Sequence, residues 1–212
     1  MDTPALAALA ALALVAYLAF RRRSPSPFPP WLTPILHAPY RRRYFSPARA
    51  ADRHGLAPGQ TVLEVGPGDG YLTGTAGERV APGGRLVCLD VQLAMLRKLR
   101  SALGGRTPPL VCASGSELPF RSGAFDLVFL VHVLGEIPDR AGALAECARV
   151  LRAGGTLAVT EGLPDPDFIR GPRLVRMAQA AGLRAGERFG GRLHYTQRFR
   201  PAAAAAPAPG RP

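Results

Sequence analysis

The run VLEVGPGDG at residues 62–70 decides the fold of this chain. Its first four residues are apolar apart from Glu64, the composition of a strand covered on both faces. Its second half sets Gly66, Gly68 and Gly70 around Pro67 and Asp69. Glycines this close together let the main chain turn sharply and lie bare against a ligand that a Cβ would exclude. In open parallel sheets ligands bind outside the carboxyl ends of the strands, near the reversal of strand order, and the turn after the first strand is that place. A purely structural turn would use such glycines too. Asp90 separates the two cases, because it ends the next apolar run twenty residues after Gly70, where a carboxylate can accept both hydroxyls of a ribose. Loop and acid together predict a nucleoside-bearing ligand.

Outward from the loop, short apolar runs bounded by Gly and Pro alternate with helical patterns. That alternation predicts an α/β fold with a doubly wound, mostly parallel, seven-stranded sheet. The expected strands are Thr61–Val65, Arg85–Asp90, residues 110–113, Phe125–Val131 and residues 155–161, 184–188 and 193–199. The expected helices cover residues 71–80, 92–103, 139–151 and 172–181. Only Phe189, Gly190, Gly191 and Arg192 separate the last two strands, too few for a parallel crossover, so these strands must form an antiparallel hairpin.

The glycine spacing argues against a nicotinamide dinucleotide, whose fingerprint has its third glycine three residues after the second. Here the pattern is G-x-G-x-G, and an oxidoreductase is set aside on that ground. The stretch VLEVGPGDG closely resembles motif I of class I S-adenosylmethionine (SAM) methyltransferases, whose sheet is also closed by one antiparallel hairpin. SELPFRSGAFDLVF at residues 116–129 resembles the region between strands three and four in small-molecule methyltransferases of the quinone- and lipid-methylating kind. LRAGGTLAVTE at residues 151–161 resembles the turn and fifth strand of the same group. The resemblance spans residues 62–199 and implies SAM as cofactor. It places Gly66, Pro67, Gly68 and Gly70 at the methionine portion, Asp90 at the ribose and Val91 on one face of the adenine. Backbone at Gly115 and Ser116 would meet the adenine edge, and Val131 with His132 would line the donor site. Glu64 would either organise the loop or face the cationic end of the donor. The family often has an Asp where this chain has Ser114, so adenine recognition is expected to be weaker or backbone-based.

Methyl transfer from a sulfonium is an in-line displacement with an already activated donor, so the protein mainly supplies alignment and desolvation. A base is needed only for a protonated acceptor. His132 and Glu136, just after the fourth strand, are the candidates to take a proton or orient an acceptor. The alternatives are packing under the donor for His132 and a helix start or cap for Glu136. The loop also resembles that of ribosomal RNA adenine dimethylases, and the basic charge makes RNA the natural competing substrate. Amino-group methylases of nucleic acids, however, carry Asn or Asp, then Pro and an aromatic, after strand four, where this chain has Val131, His132, Val133 and Leu134. Nucleic acid is therefore not favoured, and a small lipophilic acceptor such as a lipid, quinone or thiol is. A non-catalytic SAM-binding assembly subunit is the other alternative, suggested by Ser114 and by the lack of an obvious base.

The ends of the chain bear on the acceptor. Within 212 residues carrying a net charge of +12, residues 1–23 read as a membrane anchor with a basic flank and residues 24–45 as a Pro/Arg-rich connector. Residues 46–200 form the expected catalytic domain, and residues 201–212 an Ala/Pro tail with too little apolar surface to order. Residues 5–20 are apolar apart from the Tyr17 hydroxyl and so have no polar face. A helix of that length spans about 24 Å, short of the ~30 Å hydrocarbon core, which makes it a modest transmembrane anchor. A cleaved signal peptide would carry its positive charge before the apolar run; here Asp2 precedes it and Arg21, Arg22 and Arg23 follow. Arg41, Arg42 and Arg43 extend the basic flank, which predicts a single-pass protein with its domain on the cytoplasmic side. His37, Tyr40 and Tyr44 read either as a lid or, with Trp31, as interfacial anchors. Cys88, Cys112 and Cys147 have no metal-ligand or disulfide-framework spacing, so no metal is expected, and they read as small buried apolar residues.

Overall fold

The computed structural model describes residues 46–163 and 165–202, together with Pro27 and Pro29. The expected anchor, the two Arg triplets, Trp31, His37, Tyr40, Tyr44 and the tail beyond residue 202 lie outside the described residues. Among the described residues no helix is long and apolar enough to cross a membrane.

Seven strands form one sheet: β1 Thr61–Val65, β2 Arg85–Asp90, β3 Leu110–Cys112, β4 Phe125–Val131, β5 Leu151–Gly162, β6 Leu183–Gly190 and β7 His194–Pro201. Their spatial order is β3-β2-β1-β4-β5-β7-β6. Strands β1 to β5 pair in parallel, whereas β7 runs antiparallel to both β5 and β6. The order reverses between β1 and β4, so the C-terminal ends of β1, β2 and β4 surround one cleft, as the glycine loop requires.

Helices cover both faces. On one side α1 Pro47–His54, α2 Thr73–Val80 and α3 Leu93–Leu103 pack on the sheet, and on the other α4 Arg140–Val150 and α5 Gly171–Ala180. The side chains divide by strand alternation. Val62, Leu127 and Ala158 point into the first layer, and their neighbours Leu63, Val128 and Leu157 into the second. Such two-sided burial is why these strands read as continuous apolar runs.

Four expectations need correction. Strand β5 begins at Leu151 rather than residue 155, because Leu151 pairs with Phe125 before the register shifts across a bulge in which Gly154 has φ +78°. The hairpin strands run longer than their apolar cores, since main-chain pairing carries them to Gly190 and Pro201. Cys112 is exposed at the end of the edge strand β3, while Cys88 and Cys147 are buried. Helix α1 was not anticipated. It starts with Pro47 in its first turn and stops at Gly55 in the left-handed conformation. His54, fully buried, shares a hydrogen bond of 2.8 Å with the Thr160 hydroxyl and stacks on Phe129. Burial, helped by Arg198 and Arg53, pushes the His54 pKa down to about 3, so it packs as a neutral ring.

Candidate active site

The loop after β1 is built by glycines with two different tasks. Gly66 has φ +70° and donates to the Leu89 carbonyl at 2.7 Å, and a Cβ there would run into the Val133 methyls. Gly70 has φ +96°, and its Cβ would come 2.5 Å from Leu99 Cδ1. Packing of the protein itself thus requires both. Gly68 differs: at φ +61° it faces nothing within 4 Å, so its bareness serves space outside the protein. Pro67, buried between them, anchors the turn through its carbonyl, which accepts the Gly70 N–H at 3.1 Å.

Asp90 closes the loop from β2. Its carboxylate accepts the Gln92 N–H at 2.8 Å and the Gly68 N–H, and burial raises its pKa against these two bonds. A carboxylate has about four acceptor positions, which leaves capacity for ribose hydroxyls. Val91 follows with its side chain exposed. Gly115 lies under Ile137 and Val65, where a Cβ would stand 3.0 Å and 3.3 Å from their side chains. Ser116 turns inward, its N–H donating to the Ser114 hydroxyl at 3.2 Å and its own hydroxyl 2.8 Å from that group. Ser114 therefore shapes the turn at the position where an Asp would have faced the adenine. Glu64 is buried and accepts from the Thr73 hydroxyl at 2.8 Å at the start of α2, and from the Cys88 thiol. Burial pushes its pKa up to about 7 despite those two donors.

The other half of the cleft lies at the ends of β4 and β5. Val131 is the last residue of β4 and packs against the first helical layer. His132 follows with φ +57°, in the described residues the one non-glycine residue in the left-handed region, a conformation disfavoured for bulky residues and found at functional positions. Its N–H donates to Thr160 O at 2.9 Å, and Asp165 Oδ2 lies 3.6 Å from its Nδ1. The His194 ring stands 5.8 Å from it, centroid to centroid. Glu136, half-buried, ends the 3₁₀ turn Leu134–Glu136. The cap of α4 is instead Asp139, which accepts the Gly142 N–H at 2.8 Å.

Sequence reasoning missed the acids behind His132. Glu161 is fully buried, its Oε2 accepting the Ile169 N–H at 3.0 Å, and burial raises its pKa to about 8, with Asp165 and Asp167 adding to the rise. The run LPDPDF at residues 163–168 carried the one available signal, two acids just past a strand end. Among the described residues no cluster of His, Cys, Asp and Glu is arranged to hold a metal ion.

The open space at Gly68, the apolar wall at Val91 and the spare acceptor positions of Asp90 fit an adenosyl group with its ribose. Residues 63–159 match the family model described as "Methyltransferase domain". A demethylmenaquinone methyltransferase of Corynebacterium urealyticum is 39% identical over 113 residues, 53% of this chain and 46% of that protein. The ubiquinone/menaquinone biosynthesis C-methyltransferase UbiE of Hahella chejuensis is 36% identical over 114 residues, 52% and 46% of the two chains. The chain spans about half the length of these curated relatives. In structure it is similar to a SAM-dependent methyltransferase from Aquifex aeolicus, with a TM-score of 0.73 and 23% identity over 82% of this chain and 98% of that one. Residues 63–159 of this chain thus match a methyltransferase domain, and the chain shares its fold with a SAM-dependent methyltransferase.

Proposed function

We propose that this protein transfers a methyl group from SAM to a small lipophilic acceptor, a lipid, quinone or thiol, at a membrane. The observation that carries this is the likeness to quinone-biosynthesis methyltransferases. When bound, SAM supplies a methyl group on a positively charged sulfur, which leaves as a neutral thioether. The turn that Gly66 and Gly70 build would receive its methionine portion against the bare main chain of Gly68, Asp90 its ribose hydroxyls, Val91 its adenine face, and Gly115 with Ser116 the adenine edge. The nucleophile comes from the acceptor, and if it carries a proton His132 is the group placed to take it, with Asp165 steadying the imidazolium. Residues 5–20 would act as a single-pass anchor with the domain on the cytoplasmic side, raising the local concentration of enzyme around a bilayer-borne acceptor.

Calorimetric titration of the full-length protein in detergent with SAM tests the donor site, and absence of binding would overturn it. Incubation with labelled SAM and a membrane extract, followed by mass spectrometry of the lipids, tests the acceptor class. Label appearing only in RNA or protein would refute it. Extraction of the protein by carbonate washing would refute the anchor alone.

A further inference from the structure

Four large apolar side chains among the described residues stand exposed: Val91 (53%), Leu93 (50%), Leu163 (49%) and Leu193 (62%). All four lie at one edge of the sheet. Val91 and Leu93 follow the C-terminal end of β2, Leu163 follows that of β5, and Leu193 precedes β7, which runs antiparallel to β5 and so begins where β5 ends. The first pair borders the adenosyl site. The second pair has no such role. Leu163 donates its N–H to the Leu193 carbonyl at 2.8 Å, so the main chain holds the two leucines side by side instead of leaving them on separate loops.

The segments that carry this pair also carry cations. Arg192 is its exposed chain neighbour, and Arg170 is exposed at the start of α5. Arg188 donates to the Gly191 carbonyl at 3.1 Å, lies over the Tyr195 ring and packs against Gly171, which ties α5 to the hairpin tip. Three carboxylates of the same segments are turned away: Asp165 is 12% exposed and faces His132, and Glu161 and Asp167 are buried. Glu187 is exposed, and its charge is matched by Arg198 at 2.6 Å. An apolar tip on arginine-bearing segments suits the surface of an anionic bilayer, where leucines enter the acyl boundary and arginines meet the headgroup phosphates. An RNA backbone would engage the arginines but gain nothing from two exposed leucines.

We infer that the loop bearing Leu163 and the tip of the β6–β7 hairpin form a docking face for an anionic lipid bilayer. It opens the acceptor end of the cleft toward the lipid: His194, next to Leu193, faces His132, and Gly162, next to Leu163, lies against both rings. The inference deepens the proposed use of a lipophilic acceptor and rests on it.

The test uses the full-length chain on phosphatidylglycerol vesicles with brominated acyl chains, which quench an indole that enters them. Trp31→Phe removes the native tryptophan, and Leu193→Trp then reports on the tip. Ala153→Trp, at the opposite end of β5, is the control. Quenching of the introduced indole at position 193 and not at 153 is expected. Adding Arg170→Glu and Arg192→Glu should lower the ratio of docked to undocked protein about fivefold for each unit of positive charge removed. Bound SAM shows that each variant is folded. An unquenched indole at position 193 in SAM-binding protein overturns the docking face, as does salt-sensitive RNA binding without quenching. Methyl transfer to a detergent-dispersed acceptor is measured in parallel. Transfer without quenching refutes the docking face alone, and quenching without transfer refutes the enzymatic proposal while the docking face stands.

Discussion

The carboxylate of Asp90 accepts the backbone N–H of Gly68, so the acid that ends β2 shapes the loop that follows β1. One residue thereby holds the loop and offers its spare lone pairs to a ligand. Asp90→Ala should remove both functions and weaken SAM binding by about one to two orders of magnitude, the range for lost hydrogen bonds to a charged group. Gly68→Val should abolish binding, because its side chain would fill the open space and strain a residue at φ +61°. Calorimetric titration checks both, and unchanged affinity in the two variants would place the ligand elsewhere.

His132 can be tested without disturbing its backbone. Asn tolerates the left-handed region better than most residues, so His132→Asn should fold with nearly wild-type Tm and bind SAM normally. If the imidazole takes the acceptor proton, kcat should fall by about 100-fold or more. A kcat within a few-fold of wild type would assign His132 to packing.

Glu161 makes stability depend on pH. Its pKa is about 8 in the native protein, against 4.5 ordinarily. Between these values the native state keeps a proton that the unfolded state has released. Stability from this group is therefore full below about 4.5 and declines as pH rises toward 8, with a limiting slope of about 1.4 kcal/mol per pH unit. Glu161→Gln mimics the protonated acid and should gain on the wild type across that window in urea unfolding. His54 acts in the opposite sense. Its lowered pKa of about 3 costs stability as pH falls from 6.5.

Tyr195 is fully buried and donates its hydroxyl to the Ile169 carbonyl at 2.6 Å. Tyr195→Phe would leave that carbonyl without its donor and should destabilise the fold by about 1–3 kcal/mol. Because the contact lies behind the acceptor side, SAM affinity should be unchanged. Thermal unfolding with and without SAM separates the two effects.

The amino-acid sequence by itself determined the local architecture of this protein. Strands β1, β2 and β4 were legible to the residue because burial on both faces makes them mostly apolar runs. The glycine loop was legible because left-handed backbone demands Gly at fixed spacing. Helix α1 escaped because what holds it comes from afar: Thr160 binds His54, and Arg198 donates to the carbonyls of Asp52 and Arg53. The tertiary structure alone decided that Glu64 meets Thr73 and Cys88, that Asp165 and His194 gather at His132, and that Leu163 and Leu193 share a hydrogen bond at the rim of the cleft. Each of these joins residues from separate elements, and chain spacing carries no record of which strand ends will meet.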